Sequence, residues 1–160
     1  MLACCNFLSC RCFMPEDKVF DFRRDVTVLR VLREHVEQFM LDLPLDAKRK
    51  MRMTLCVDEA AANIIEHCKE SENSPNGISF KMRMSCEGGA FKVIFEDDGL
   101  PFDPTKAPLV DIKSHIRSGN KGGLGVHIMR LNLDIFEYVR RENLNQFTLG
   151  MNLMNLAQES

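Results

Sequence analysis

The stretch that decides the fold runs from Val57 to His67 and reads VDEAAANIIEH. Small and branched apolar residues fill most of it, and Glu59, Asn63 and His67 interrupt them at steps of four. Four residues carry a helix about 40° past a full circle, so all three share one side. Upstream, Met51, Met53 and Leu55 extend the pattern, and from residue 53 onward apolar positions run nearly all round. The expected helix covers residues 46–68, is N-capped by Asp46 and is buried on most sides. Its remaining polar residues are informative, because burying them costs free energy unless something pairs with them. A carboxylate and an amide one turn apart can orient a nucleophilic hydroxyl and bind Mg²⁺ through the amide oxygen. The bland alternative is a hydrogen-bonded Asn with a surface Glu and His, and alone the triplet does not displace it. His67 reads as a structural histidine rather than a base.

Outward from this helix, residues 18–24 alternate around Phe20 and Phe22 as a short strand. Residues 25–43 place Leu29, Leu32, Val36, Phe39, Met40 and Leu43 on one helical stripe, with Asp25 as cap and Pro44 beyond. Residues 69–77 form a turn-rich loop, 78–85 a strand with one wet face, 87–89 a hairpin turn and 90–97 the return strand. From Gly99 to Gly125 the chain is rich in Gly and Pro, with a short helix expected over 110–116. A loop of that length usually has a job. A helix over 124–133 and a hairpin of 135–141 and 146–153, turning across Glu142–Asn145, complete the pattern. Antiparallel hairpins with helices on one face make a two-layer α/β sandwich with a mixed, mostly antiparallel sheet. Strand and helix do not alternate as in a doubly wound fold.

At 160 residues the chain suits one domain, and its net charge of −2 argues against a duplex-coating protein. No eighteen-residue apolar run offers a membrane span. Cys4, Cys5, Cys10 and Cys12 crowd a leader, residues 1–15, ahead of a domain over 16–160. The leader lacks the basic and long apolar regions of a signal peptide. Cys5, Cys10 and Cys12 could offer thiolates to a metal, but their spacing matches no closed structural site. Cys56, Cys68 and Cys86 read as small core residues. An odd cysteine count in a chain too large to need staples points to a reducing compartment, and the expected location is cytoplasmic.

Two further blocks carry chemistry. Asp97-Asp98-Gly99-Leu100-Pro101-Phe102-Asp103 ends a strand, where a carboxylate can accept from an exocyclic amine and Gly99 lets a base approach the backbone. An ordinary acidic turn competes with that reading. Gly119-Asn120-Lys121-Gly122-Gly123-Leu124-Gly125 opens a helix, freeing N–H groups for phosphate oxygens, with Lys121 adding charge. It is neither a Walker A loop nor a dinucleotide fingerprint.

Together these blocks resemble the GHKL (Bergerat) ATP-binding fold. Glu59, Asn63 and His67 look like its N box, Asp97 to Asp103 like its first glycine box, and Gly119 to Gly125 like the second. Thr148 in QFTLGM looks like its adenine-side threonine. Residues 18 to about 154 are most similar to the anti-sigma-factor serine/threonine kinases, the RsbW-like branch. VDEAAANIIEH, EDDGLPFDP and GGLGVHIMRLNLDIFEYVRRENLNQFTLGMN carry that likeness.

The resemblance implies a kinase that uses ATP and Mg²⁺, phosphorylates a STAS-fold antagonist protein, and sequesters an alternative sigma factor. Family members commonly pair as homodimers, and with the charge and apolar pattern above the expected partners include no direct nucleic acid and no membrane. Carried over by position, Glu59 would be the general base, Asn63 the Mg²⁺ ligand, and Asp97 the adenine reader, helped through water by Thr148. Gly99 would shape the adenine pocket. Gly123 and Gly125, with Lys121 or Arg117, would line the phosphates. The alternative is a non-catalytic module that binds its partner in a nucleotide-gated way, and Glu59 separates the two. His35, in the first helix between Glu34 and Glu37, has the wrong neighbours for an autokinase histidine.

Overall fold

The computed structural model describes residues 15–23, 25–67, 79–108 and 124–153. Strand β1 (Lys18–Arg23) leads into helices α1 (Val28–Met40) and α2 (Ala47–His67). Strands β2 (Ser79–Glu87) and β3 (Ala90–Asp97) follow, then a 3-10 turn at Pro104–Lys106. Helix α3 (Leu124–Asn132) precedes β4 (Ile135–Arg141) and β5 (Leu144–Asn152). The five strands form one sheet in the order β1-β2-β3-β5-β4. The helices cover one face, with α2 on β3 and β5 and flanked by α1 and α3. This is the expected two-layer sandwich of the GHKL type. One detail is corrected: every pairing among the described strands is antiparallel, not mixed. β3 and β4 do run the same way, but β5 lies between them and pairs with both.

The core follows the apolar patterns. From α1 come Leu32, Val36, Phe39 and Met40, and from α2 Met53, Cys56, Val57, Ala60 and Ala61. The sheet contributes Phe80, Met82 and Met84 from β2 and Phe91, Val93 and Phe95 from β3, and Phe39 stacks on Phe91 at 5.2 Å between centroids. Burying this much apolar side chain against two layers is the main force holding them together. Small residues at Ala60 and Ala61 let the backbone of α2 come close to the sheet.

The helix starts differ in kind. Asp46 caps α2 as expected, its Oδ1 accepting from the Arg49 amide at 2.7 Å. Asp25 is not the cap of α1. Its Oδ1 accepts from the Thr27 amide at 2.8 Å, a local turn that delays the helix until Val28. Arg49 then ties the start of α2 to the sheet, donating to the Asn152 carbonyl at 2.8 Å and to Asp134 at 2.6 Å. Gly88 and Gly89 both have positive φ, 62° and 76°, as a two-residue hairpin between twisted strands requires.

The second hairpin is tighter than its sequence suggests. Arg141 pairs with Leu144, so the turn is Glu142–Asn143 and β5 already includes Asn145. The expected helix over 110–116 and residues 1–14 of the leader lie outside the described residues, as do Cys68 and Arg117, Lys121 and Gly123. No helix among the described residues is long and apolar enough to cross a membrane.

The α2 cap gives the first prediction. Asp46→Ala should cost about 1 kcal/mol of stability, read as a lower urea midpoint with an unchanged m-value.

Candidate functional site

Down the face of β3 and β5 that meets the helices, the cross-strand pairs are Phe91 with Met151, Val93 with Leu149, Phe95 with Phe147, and then Asp97 with Asn145. Three apolar rungs build the core and the fourth is polar. The pocket opens where that change occurs. Ala60, Ile64, Leu100, Phe102, Pro104 and Phe147 give it apolar walls, and Asn63, Asp97, Tyr138 and Asn145 bring polar groups to it. Flat apolar walls with a few convergent polar groups suit an aromatic heterocycle.

Asp97 is almost fully buried, and its Oδ1 accepts from the Gly99 amide at 2.9 Å and from Asn145 Nδ2 at 2.8 Å. Gly99 thus shapes the turn that orients the carboxylate. Across the pocket, Asn63 Nδ2 is buried with no hydrogen-bond partner. Such an orphaned donor costs free energy, and a bound ligand with acceptor oxygens would remove that cost. Among the described residues no cluster of three or more His, Cys, Asp and Glu gathers as a metal cage.

One turn before Asn63, Glu59 meets the start of α3. A Cβ at Gly125 would overlap the Glu59 Oε2 and lie 3.3 Å from its Cδ. Only glycine lets this part of α3 come this near the carboxylate. Burial, then the charges of Asp58 and Glu66, push the Glu59 carboxyl above its ordinary range. The neighbouring Asp58 turns toward α1 and accepts from Arg33 at 3.0 and 2.5 Å.

The structure therefore brings Asn63 and Asp97 to one pocket, with Gly99 bonded to Asp97 behind it and Glu59 and Gly125 beside it at the start of α3. Thr148 is not with them. It pairs across to Ile94 and Glu137 and lies between Phe147 and Leu149, which point into the core. Alternation along β5 puts Thr148 on the sheet face away from the helices, and Asn145 occupies the place beside Asp97. Asn145, Tyr138 and Arg140 escaped the sequence reading because Asn145 was assigned to the turn. The signal was present: counting back by two from Met151, Leu149 and Phe147 reaches Asn145 as a polar residue at a core-facing position. The side chain of His67, the third member of the triplet, lies outside the described residues.

Arg130 of α3 closes the rim. It donates to the carbonyls of Pro104, at 3.1 Å, and Thr105, and sits 5.8 Å over the Phe136 ring. The pocket wall at Pro104 is thereby fastened to the helix whose start meets Glu59.

Residues 22–151 match the family described as the histidine kinase-like ATPase domain. The chain is also similar to a protein of Bordetella bronchiseptica named serine/threonine-protein kinase BtrW, with 29% identity over 103 residues, 64% of this chain and 70% of that one.

Gly125→Ala tests the close approach. The atom displaced is the end of a flexible side chain, so the variant should fold with a melting temperature within a few degrees of wild type, about 1 kcal/mol or less. ATP turnover should nonetheless collapse, because the Glu59 carboxylate must move. Turnover at the wild-type rate would mean that the approach has no role.

Proposed function

We propose that this chain, which belongs to the histidine kinase-like ATPase domain family, is an ATP-dependent protein serine/threonine kinase that acts as an anti-sigma factor. The observation that carries the reading is Glu59: a partly buried carboxylate with a raised pKa, one turn from Asn63 and against the start of α3. Nucleotide binding alone has no use for a carboxylate there. A raised pKa brings a base nearer to the operating pH, where proton transfer is most effective.

In this reading the adenine enters the apolar pocket and its 6-amino group donates to Asp97. The phosphates then run toward the first turn of α3, where N-terminal helix amides and the dipole favour anions. Lys121 or Arg117 would add charge there. Mg²⁺ fits the residues present: it keeps most of its waters and takes phosphate oxygens, so one protein oxygen, from Asn63, suffices without an acidic cage. When bound it would neutralise charge on the phosphates. A serine or threonine hydroxyl of the partner attacks the γ-phosphorus, the bond to the β-phosphate's bridging oxygen breaks, ADP leaves, and the hydroxyl proton passes to Glu59.

The resemblance to anti-sigma-factor kinases supports the finer assignments. The phosphorylated partner would be a STAS-fold antagonist, the sequestered partner an alternative sigma factor, the assembly a homodimer and the location the cytoplasm. The similarity to a protein named a serine/threonine kinase supports the reaction class.

Glu59→Gln is the deciding variant. It should keep ATP affinity and lose phosphate transfer to a STAS-fold partner, followed with labelled ATP. Transfer that survives the substitution would reject the base; tight ATP binding by wild type without transfer to any partner would favour the nucleotide-gated module. The raised pKa adds a second signature. Because the folded state holds the Glu59 proton more tightly than the unfolded state, Glu59 loses stability as pH rises through its folded pKa. Glu59→Gln should therefore be at least as stable as wild type at pH 7, and its advantage should vanish below the ordinary carboxylate range in melting curves taken across pH.

A further inference from the structure

Asn145 sits at the centre of a hydrogen-bond network that the adenine reading does not use. Its Nδ2 donates to Asp97 Oδ1 at 2.8 Å and to the carbonyls of Leu100 and Gly99 at 3.1 and 3.3 Å. Its Oδ1 accepts from the Tyr138 hydroxyl at 2.7 Å and from Arg140 Nη1 at 2.6 Å. The same Arg140 nitrogen donates to the Gly99 carbonyl at 3.0 Å. The amide has only one workable orientation. A guanidinium only donates, and a carboxylate or carbonyl only accepts, so a flipped amide would set donor against donor and acceptor against acceptor at once. Tyr138 and Arg140 reach Asn145 because both stand on the face of β4 that carries Phe136 into the core, and Arg140 pairs directly with Asn145.

We propose that Tyr138 and Arg140 clamp the Asn145 amide in this orientation and thereby make the pocket selective for 6-amino purines over 6-keto purines. The proposal rests on the pocket being a nucleotide site. A 6-amino purine presents a donor at that position and a 6-keto purine an acceptor. Asp97 can receive only the first. Asn145 is the neighbouring group that could serve the second, because a rotated amide would offer its N–H to a keto oxygen. With Nδ2 committed to three acceptors and Oδ1 held by two donors, that N–H is withheld. Discrimination then comes from the wrong base leaving its acceptor unpaired in a buried site. Tyr138 and Arg140 are positioning residues in this scheme, acting through Asn145, although the Tyr138 ring also lines the pocket.

The test is calorimetric titration of ATP and inosine triphosphate into the full chain. Wild type should prefer ATP. Tyr138→Phe with Arg140→Met should lower the ATP-to-inosine-triphosphate affinity ratio roughly tenfold, the worth of about one buried hydrogen bond. Tyr138→Phe alone keeps the ring's packing and should lower the ratio by less, which preserves the test if the double variant folds poorly. Arg140→Lys, which keeps a donor, should recover part of the ratio. Both affinities falling in parallel, with the ratio unchanged, would overturn the clamp and leave only a structural role. A wild type that binds both nucleotides equally would overturn it too. A wild type that binds neither would instead overturn the nucleotide reading beneath it.

Discussion

Everything at this site depends on how α2 lies on the sheet. One face of the helix must be core, and Met53, Cys56, Val57, Ala60 and Ala61 supply it against β3 and β5. The same turns must hold Glu59 and Asn63 at the pocket edge. A helix can satisfy both because residues four apart return to nearly the same side while their neighbours face away. The alanines matter as much as the polar residues, since side chains of that size bring Asn63 within reach of a pocket floored by Asp97. Asp46 fixes where the helix begins, and Arg49 fixes that end to Asp134 and the end of β5. The helix is thus held along its length by packing and at its start by directional bonds.

Two adjacent carboxylates on α2 meet different environments and acquire different uses. Asp58 faces Arg33, and that pair is half exposed on the arginine side, where such contacts contribute about 1 kcal/mol or less. Its value lies elsewhere: it gives one of two neighbouring negative charges a cation and points it toward α1. Glu59 has no such cation among the described residues, is pressed by α3, and feels Asp58 as a like charge. A carboxylate paired with a cation and one pushed toward holding its proton therefore sit side by side because of which helix each of them meets. A proton acceptor made this way costs stability at neutral pH, as expected of a group kept for chemistry.

How far the sequence could be read follows the same physics. Regular periods came through: the α1 stripe, the β2–β3 hairpin with its paired glycines, and α2 with its cap all lie where their patterns place them. So did Asn63 and Asp97 as neighbours in the pocket, with Gly99 bonded to Asp97, since each is anchored to a well-patterned element. What failed was a choice between local propensity and alternation. Asn145 is a poor strand residue by propensity, so the residues before Gln146 looked like turn, and Thr148 entered separately, as the adenine-side threonine that the resemblance implies. In the fold Asn145 is held in the strand by tertiary contacts with Asp97, Tyr138 and Arg140, none of which is near it in a local window except through the hairpin itself. Tertiary hydrogen bonds overrode the propensity, as they commonly do at buried polar positions.

The register of β3 against β5 joins stability to recognition. The rungs Phe91–Met151, Val93–Leu149 and Phe95–Phe147 fix which face is buried, and the fourth rung, Asp97–Asn145, inherits its orientation from them. A slip of β3 by one residue would turn Phe91, Val93 and Phe95 to the open face and carry Asp97 with them. The core therefore specifies the site's geometry without any separate device, and at the end of the ladder the polar pair needs only to be satisfied. Asn145 meets that need with Gly99, Leu100, Tyr138 and Arg140 around it. A polar rung left unsatisfied there would oppose the register that the apolar rungs impose. Satisfied, it ends the core on the side where a ligand can enter.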